Sequence, residues 1–83
     1  MNSYIATFFS HFAAVRFARA CRADGLRAEP APVPRSLSSD CGTCVRYEAE
    51  SPFPSDFSRR DIEQIVRVLP DGYEPVYRAE ELP

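Results

Sequence analysis

Ser58-Arg59-Arg60-Asp61-Ile62-Glu63-Gln64-Ile65-Val66-Arg67-Val68-Leu69 is the stretch that decides how the second half of this chain is read. Ile62, Ile65, Val66 and Leu69 recur at i, i+3, i+4 and i+7, the spacing that lines one face of a helix. Ser58 with Asp61 resembles a capping box, in which side chains satisfy backbone N–H groups that the first turn leaves open. Pro70-Asp71-Gly72 then stops the element. The pattern predicts a helix over residues 58–69.

The flanking segments read as short strands and loops. Tyr73 to Tyr77 is a strand weakened by Pro75, and Glu80-Glu81-Leu82-Pro83 is expected to fray. Ser51 to Ser55, with prolines around Phe53, is a linker. Cys44 to Glu48 alternates, with Val45 and Tyr47 on one face and Cys44, Arg46 and Glu48 on the other, and reads as a strand. Arg35 to Thr43 is polar and reads as a surface loop. Leu26 to Val33 is a strand with Leu26, Ala28 and Val33 as inward candidates. Pro30, Pro32 and Pro34 donate no ladder hydrogen bonds, which puts this strand at an edge.

Tyr4 to Phe9 is an apolar, aromatic run read as a buried strand. Ser10 can cap the helix that follows, along which Ala14, Phe17, Ala18 and Cys21 form the apolar stripe up to Asp24. Gly25 stops it. The order β-α-β-β-α-β predicts an α+β fold, a ferredoxin-like split βαβ sandwich with one sheet and two helices on one face. Residues 1–83 are expected to form a single small domain, near the lower limit for a self-sufficient core, and a homodimer would bury further surface.

Composition narrows the function. The net charge is -2, and all ten basic side chains are arginines spread among acids, so no basic stripe for nucleic acid is expected. No apolar run approaches the ~18 to 20 residues that span a bilayer. Met1 to Phe12 lacks a basic leader and a cleavage site, so no signal peptide and no membrane partner are expected. Three cysteines argue against a fully paired secreted framework and for a cytoplasmic, reducing compartment.

The chemistry rests on sulfur. Cys41-Gly42-Thr43-Cys44 is a Cys-x-x-Cys in the polar loop, and a working thiol must be accessible and partly deprotonated. Asp40 would raise the pKa of Cys41; Arg35 or Arg46 nearby in space would lower it. Gly42 lets the backbone approach a partner closely. The plain alternative is two ordinary thiols at a strand entrance. The motif precedes a strand rather than opening a helix, so it is not a thioredoxin arrangement. Cys21, on the apolar stripe, reads as a small buried hydrophobe. His11 reads as a helix-start surface residue, with a second reading as a polar group able to stabilise a thiolate. Ser36, Ser38 and Ser39 read as loop formers. A structural zinc site usually has two knuckles and only one pair exists here, so no metal is expected within one chain; two chains sharing four cysteines is the form such a site would take. No phosphate-binding glycine loop is present, and no cofactor is expected.

Val33-Pro34-Arg35-Ser36-Leu37-Ser38-Ser39-Asp40-Cys41-Gly42, continuing to Val45-Arg46-Tyr47, resembles the signature of a family of small bacterial selenium/sulfur carrier-like proteins. The likeness extends over nearly the whole chain. It implies that Cys41 is the carrier atom, with Pro34, Arg35, Ser38, Ser39, Gly42 and Arg46 matching the surrounding motif. Cys44 falls where the family often has a small apolar residue, and the Pro52-Phe53-Pro54 linker is longer than usual.

By that resemblance, Cys41 would take up sulfur or selenium as a persulfide or selenopersulfide from a donor such as a cysteine desulfurase. It would then pass the atom to an acceptor enzyme, acting as a carrier rather than a stand-alone enzyme. Ser38, Ser39 and Gly42 would shape the loop, Arg35 or Arg46 would favour the anion, and Cys44 would resolve the persulfide as a disulfide. The alternatives are an interaction or regulatory module with a redox-reversible Cys41–Cys44 pair, and a small metal-binding domain.

Overall fold

The computed structural model describes residues 1–37, 42–55 and 57–79. Five strands form one antiparallel sheet: β1 (Asn2–Phe8), β2 (Arg27–Pro32), β3 (Thr43–Ala49), β4 (Ile62–Leu69) and β5 (Gly72–Arg78), in the order β2-β3-β1-β4-β5. Helix α1 (His11–Ala23) joins β1 to β2, and β3 lies between those two strands, antiparallel to both. That is a split βαβ unit.

Residues 58–69 are not a helix. A single 3₁₀ turn, Arg59–Asp61, leads into β4, and Ser58 caps that turn by accepting from the Arg60 N–H. Among the described residues there is one α-helix, so the two-helix sandwich expected from the sequence is not formed. The α+β class and the single sheet are as expected. The cause of the difference is a β-bulge. The β1–β4 register passes from Thr7↔Gln64 to Phe8↔Ile62 and skips Glu63. One extra residue reverses the two-residue alternation of a strand. Ile62 and Ile65 therefore reach the same helix-side core although they are three apart, while Val66 joins the opposite face. A strand buried on both sides, with its phase reset once, produces the three-four spacing of a helix. The β-branched Ile62, Ile65, Val66 and Val68 suit the extended form. The β4–β5 hairpin turns through Pro70 and Asp71, since Leu69 pairs with Gly72.

The first half follows its sequence closely. Ser10 is extended, at φ -146, and its Oγ accepts from the Ala13 N–H at 3.1 Å. Ala14, Phe17, Ala18 and Cys21 are all buried. At the other end Gly25 takes φ +80, the Leu26 N–H donates to Cys21 O at 3.0 Å, and the Gly25 N–H donates to Arg22 O at 2.9 Å. These two bonds are a Schellman motif, which satisfies carbonyls that the last turn leaves open. Arg22 then ties the helix end to β2 through Ala28 O.

Phe17 centres the core between helix and sheet, with ring centroids 5.0 Å from Phe8, 5.1 Å from Tyr47 and 5.1 Å from Phe57. Phe53 and Phe57, from the connection between β3 and β4, pack against this cluster. A smaller cluster forms on the other face around Ile5, Cys44 and Val66, and Val33 and Leu37 fold onto it from the segment after β2. Of the inward candidates on this strand, Leu26 and Ala28 serve the helix side and Val33 the opposite side. β2 is an edge strand, as its prolines require.

Candidate functional site

Antiparallel pairing brings Gly42 and Thr43, which follow Cys41 in the chain, to one end of the sheet. β1 runs against β3, with Thr7 opposite Cys44, so the end of β1 lies beside the start of β3. α1 starts two residues after β1 ends, and its first residue is placed at that same end. His11 Nδ1 lies 3.2 Å from Thr43 Oγ1. Thr43 shares strand parity with Val45 and Tyr47, which face the helix-side core. On the far side of Thr43, Gly42 is exposed at φ +72, a left-handed conformation that glycine adopts without steric cost. The Val33 N–H donates to Gly42 O at 3.2 Å, one bond beyond the β2–β3 ladder. At the loop's start the Leu37 N–H donates to Pro34 O at 3.0 Å, turning the chain so that Leu37 reaches the Ile5–Val66 cluster.

Ser38, Ser39, Asp40 and Cys41, the expected carrier residue, lie outside the described residues. Cys44, the other half of the Cys-x-x-Cys, is fully buried. Its Sγ lies against Pro32 O at 3.5 Å, within the cluster on the helix-free face. Cys21 is fully buried as well. Burial first, and then the charge of Asp24, push its thiol from 9.0 up to about 12, with Arg22 pulling the other way. Burial likewise raises the neighbouring Tyr47 phenol, and Cys21 and Tyr4 add to that effect.

The two arginines of the motif are placed apart. Arg35 is exposed in the turn after β2, at the loop's own entrance. Arg46 projects from the helix-free face between Glu29 and Ile5, its cross-strand neighbours. It lines a half-open groove with Ser3, Arg27, Glu29 and Glu48. Four residue steps of extended chain separate it from Gly42, about 13 Å. Among the described residues no three His, Cys, Asp or Glu side chains gather into a group that could hold a metal, and no helix is long and apolar enough to cross a membrane.

The model of one protein family, described as "Putative Se/S carrier protein-like", matches residues 3–52. The chain belongs to this Se/S carrier-like family. The match takes in most of β1, all of α1, β2 and β3, and Cys41 in the sequence between them. β4 and β5 lie beyond the matched residues. No curated protein and no solved structure matches the chain at a significant level.

Sequence reasoning placed Thr43 at the end of the polar loop, whereas it opens β3 and meets His11. The signal was available. An antiparallel neighbour of β1 must begin where β1 ends, and the helix begins there too, so a polar residue opening that strand meets the first helical turn.

Proposed function

We propose that this Se/S carrier-like chain carries sulfane sulfur, or selenium, on Cys41. The observation that supports this best is the burial of the other two thiols: Cys21 and Cys44 are both closed to solvent, so a carrier function on this chain falls to Cys41. The Cys41 thiolate attacks the terminal sulfur of a donor persulfide, such as that on a cysteine desulfurase. A new S–S bond forms at Cys41, the donor's S–S bond breaks, and the donor leaves as a thiolate. An acceptor enzyme takes the outer atom in a second exchange of the same kind, so neither step needs an oxidant. Gly42 and the Val33–Gly42 bond hold the loop's exit, and Arg35 is the motif arginine nearest the loop. We read Cys44 as a core thiol rather than a resolving one. The reaction belongs in a reducing, cytoplasmic setting, with the whole chain serving as one small carrier domain.

The test is intact mass under non-reducing conditions after incubation with a cysteine desulfurase and cysteine. Wild type should gain about 32 Da, one sulfur, and Cys41→Ser should gain nothing. Equal gain in both would sink the reading. A second reading, a docking module, is favoured by exposed Phe9 and Phe12 beside the helix start. Partner binding that survives replacement of all three cysteines, together with no sulfur gain, would move the conclusion there.

A further inference from the structure

We infer that the helix-free face of the sheet, on its β2–β3 side, is where a second copy of this chain docks. The inference goes beyond the carrier reading and does not depend on it. Arg27 pairs across the strands with Glu48, and Glu29 pairs with Arg46. Residues directly opposite each other in an antiparallel pair share a face, as do residues two apart along a strand. The four side chains therefore form a two-by-two block, with arginine and glutamate alternating in both directions. Its spacing is about 5 Å across the strands and about 7 Å along them. All four are exposed, and all four line the half-open groove together with Ser3 and Val68. Val33 and Leu37 pack on this face around Ile5, Cys44 and Val66, and the block stays open beside them.

Such a block is complementary to its own copy. In a closed two-chain assembly a two-fold axis sets the same patch against itself. With that axis in the plane of contact and across the strands, Arg27 falls opposite Glu29 of the second copy and Arg46 opposite Glu48. With the axis along the strands, Arg27 falls opposite Glu48 and Arg46 opposite Glu29. Either way four opposite-charge contacts form. A surface of one sign would meet two attractions and two repulsions, so the block selects against it. Within the chain the block is not consumed. The ion pairs among the described residues join Arg16 to Asp61 and Arg67 to Glu74, and none joins two of its members. Exposed pairs are individually weak, so the charges fix register and partner while apolar neighbours add area. The row of Arg27 and Glu48 continues through Ser3 to the half-buried Val68 and Tyr73. The axis across the strands brings these two into the contact as well. For 83 residues, near the lower limit for a self-sufficient core, that contact covers surface one copy leaves open.

The experiment is sedimentation equilibrium of the full chain under reducing conditions, over a concentration series. Wild type should approach twice the 9.4 kDa of one chain. Arg46→Glu should raise the dissociation midpoint at least about tenfold, because it sets like charges against each other at two symmetric places. Glu48→Arg should do the same. Arg19→Glu, an equal charge change on an exposed position of α1, should leave the midpoint unmoved. Mixing is the decisive step. Arg46→Glu combined with Glu48→Arg restores all four contacts for an axis across the strands, and Arg46→Glu combined with Glu29→Arg restores them for an axis along the strands. One of the two mixtures should therefore dimerise with wild-type strength, and the urea midpoint of each variant alone checks that the fold is kept. A wild-type chain that stays single up to about 1 mM overturns the inference. So does a dimer indifferent to Arg46→Glu, or one that neither mixture rescues.

Discussion

In the native chain near about pH 8, a thiol reagent such as DTNB should find one fast site, Cys41, and two that react only on unfolding. The separation can be worked from the structure. A thiol at the ordinary 9.0 is about one-tenth thiolate at that pH; Cys21, pushed to about 12, is about one ten-thousandth thiolate, a thousandfold slower before access is considered. Access adds a further factor, because the Cys21 and Cys44 side chains are fully buried on opposite faces of the sheet. Both must await an opening of core elements. For a chain of this length, global unfolding costs about 4 to 12 kcal/mol, and core elements open near that limit, so protection of at least about a thousandfold is expected. Cys44 relies on burial and Cys21 on burial and pKa together. The assay is the colour yield with time, read alongside peptide mapping in wild type, Cys41→Ser and a urea-unfolded control. Two fast equivalents, or labelling of Cys44 in Cys41→Ser at the rate of a small thiol, would refute the reasoning and reopen the Cys41–Cys44 exchange.

Alkaline pH should destabilise the chain. The folded state holds the Cys21 proton up to about 12 while the unfolded state releases it near 9.0, so the contribution is complete below about pH 9 and lost as pH rises toward 12. Its ceiling is about 4 kcal/mol, and Cys21→Ala should flatten the fall of the urea midpoint over that window; an unchanged slope would show that the thiol titrates alike in both states. Phe17→Ala should cost about 3 to 5 kcal/mol, since a fully buried ring loses three aromatic neighbours. With an unfolding entropy of about 0.17 kcal/mol/K for this length, that lowers Tm by at least about 17 °C, whereas Phe12→Ala, whose ring is 71% exposed, should stay within about 0.5 kcal/mol. Similar losses in both would mean that α1 buries a different face.

The fold was legible where one signal had one cause. Along α1 the apolar stripe, the Ser10 cap and the Gly25 stop all agree, and each is realised in the backbone. Along β3 the alternation put Val45 and Tyr47 on one face and Cys44, Arg46 and Glu48 on the other, and the structure turns the first pair toward the helix and Cys44 away from it. β4 failed because its spacing has two causes superposed: burial on both faces and a bulge at Glu63. A two-residue period interrupted by one extra residue yields neighbours three and four apart, and a window of twelve residues does not separate that from a helical turn. The prediction also lacked a partner-strand argument. β1 is buried on both sides, from Tyr4 to Phe8, and a central strand so covered needs a neighbour on each edge. β3 supplies one, and β4 supplies the other.

The site was legible through the same alternation, carried one step further than the motif invites. Cys-x-x-Cys reads as a pair because the residues are close in sequence. Once β3 begins at Thr43, however, Cys44 and Thr43 point to opposite faces of the sheet. Thr43 faces the helix start and meets His11, while Cys44 faces Ile5 and Val66 and is sealed by the segment that Leu37 anchors. A disulfide from Cys41 to Cys44 would require Cβ atoms about 3.5 to 4.5 Å apart, with one of them inside that apolar cluster. For Cys44 to pair outside the cluster it would have to leave it, giving up buried apolar contacts. The spacing that drew attention to two thiols thus spans a strand entrance, and Cys44 lies on its buried side.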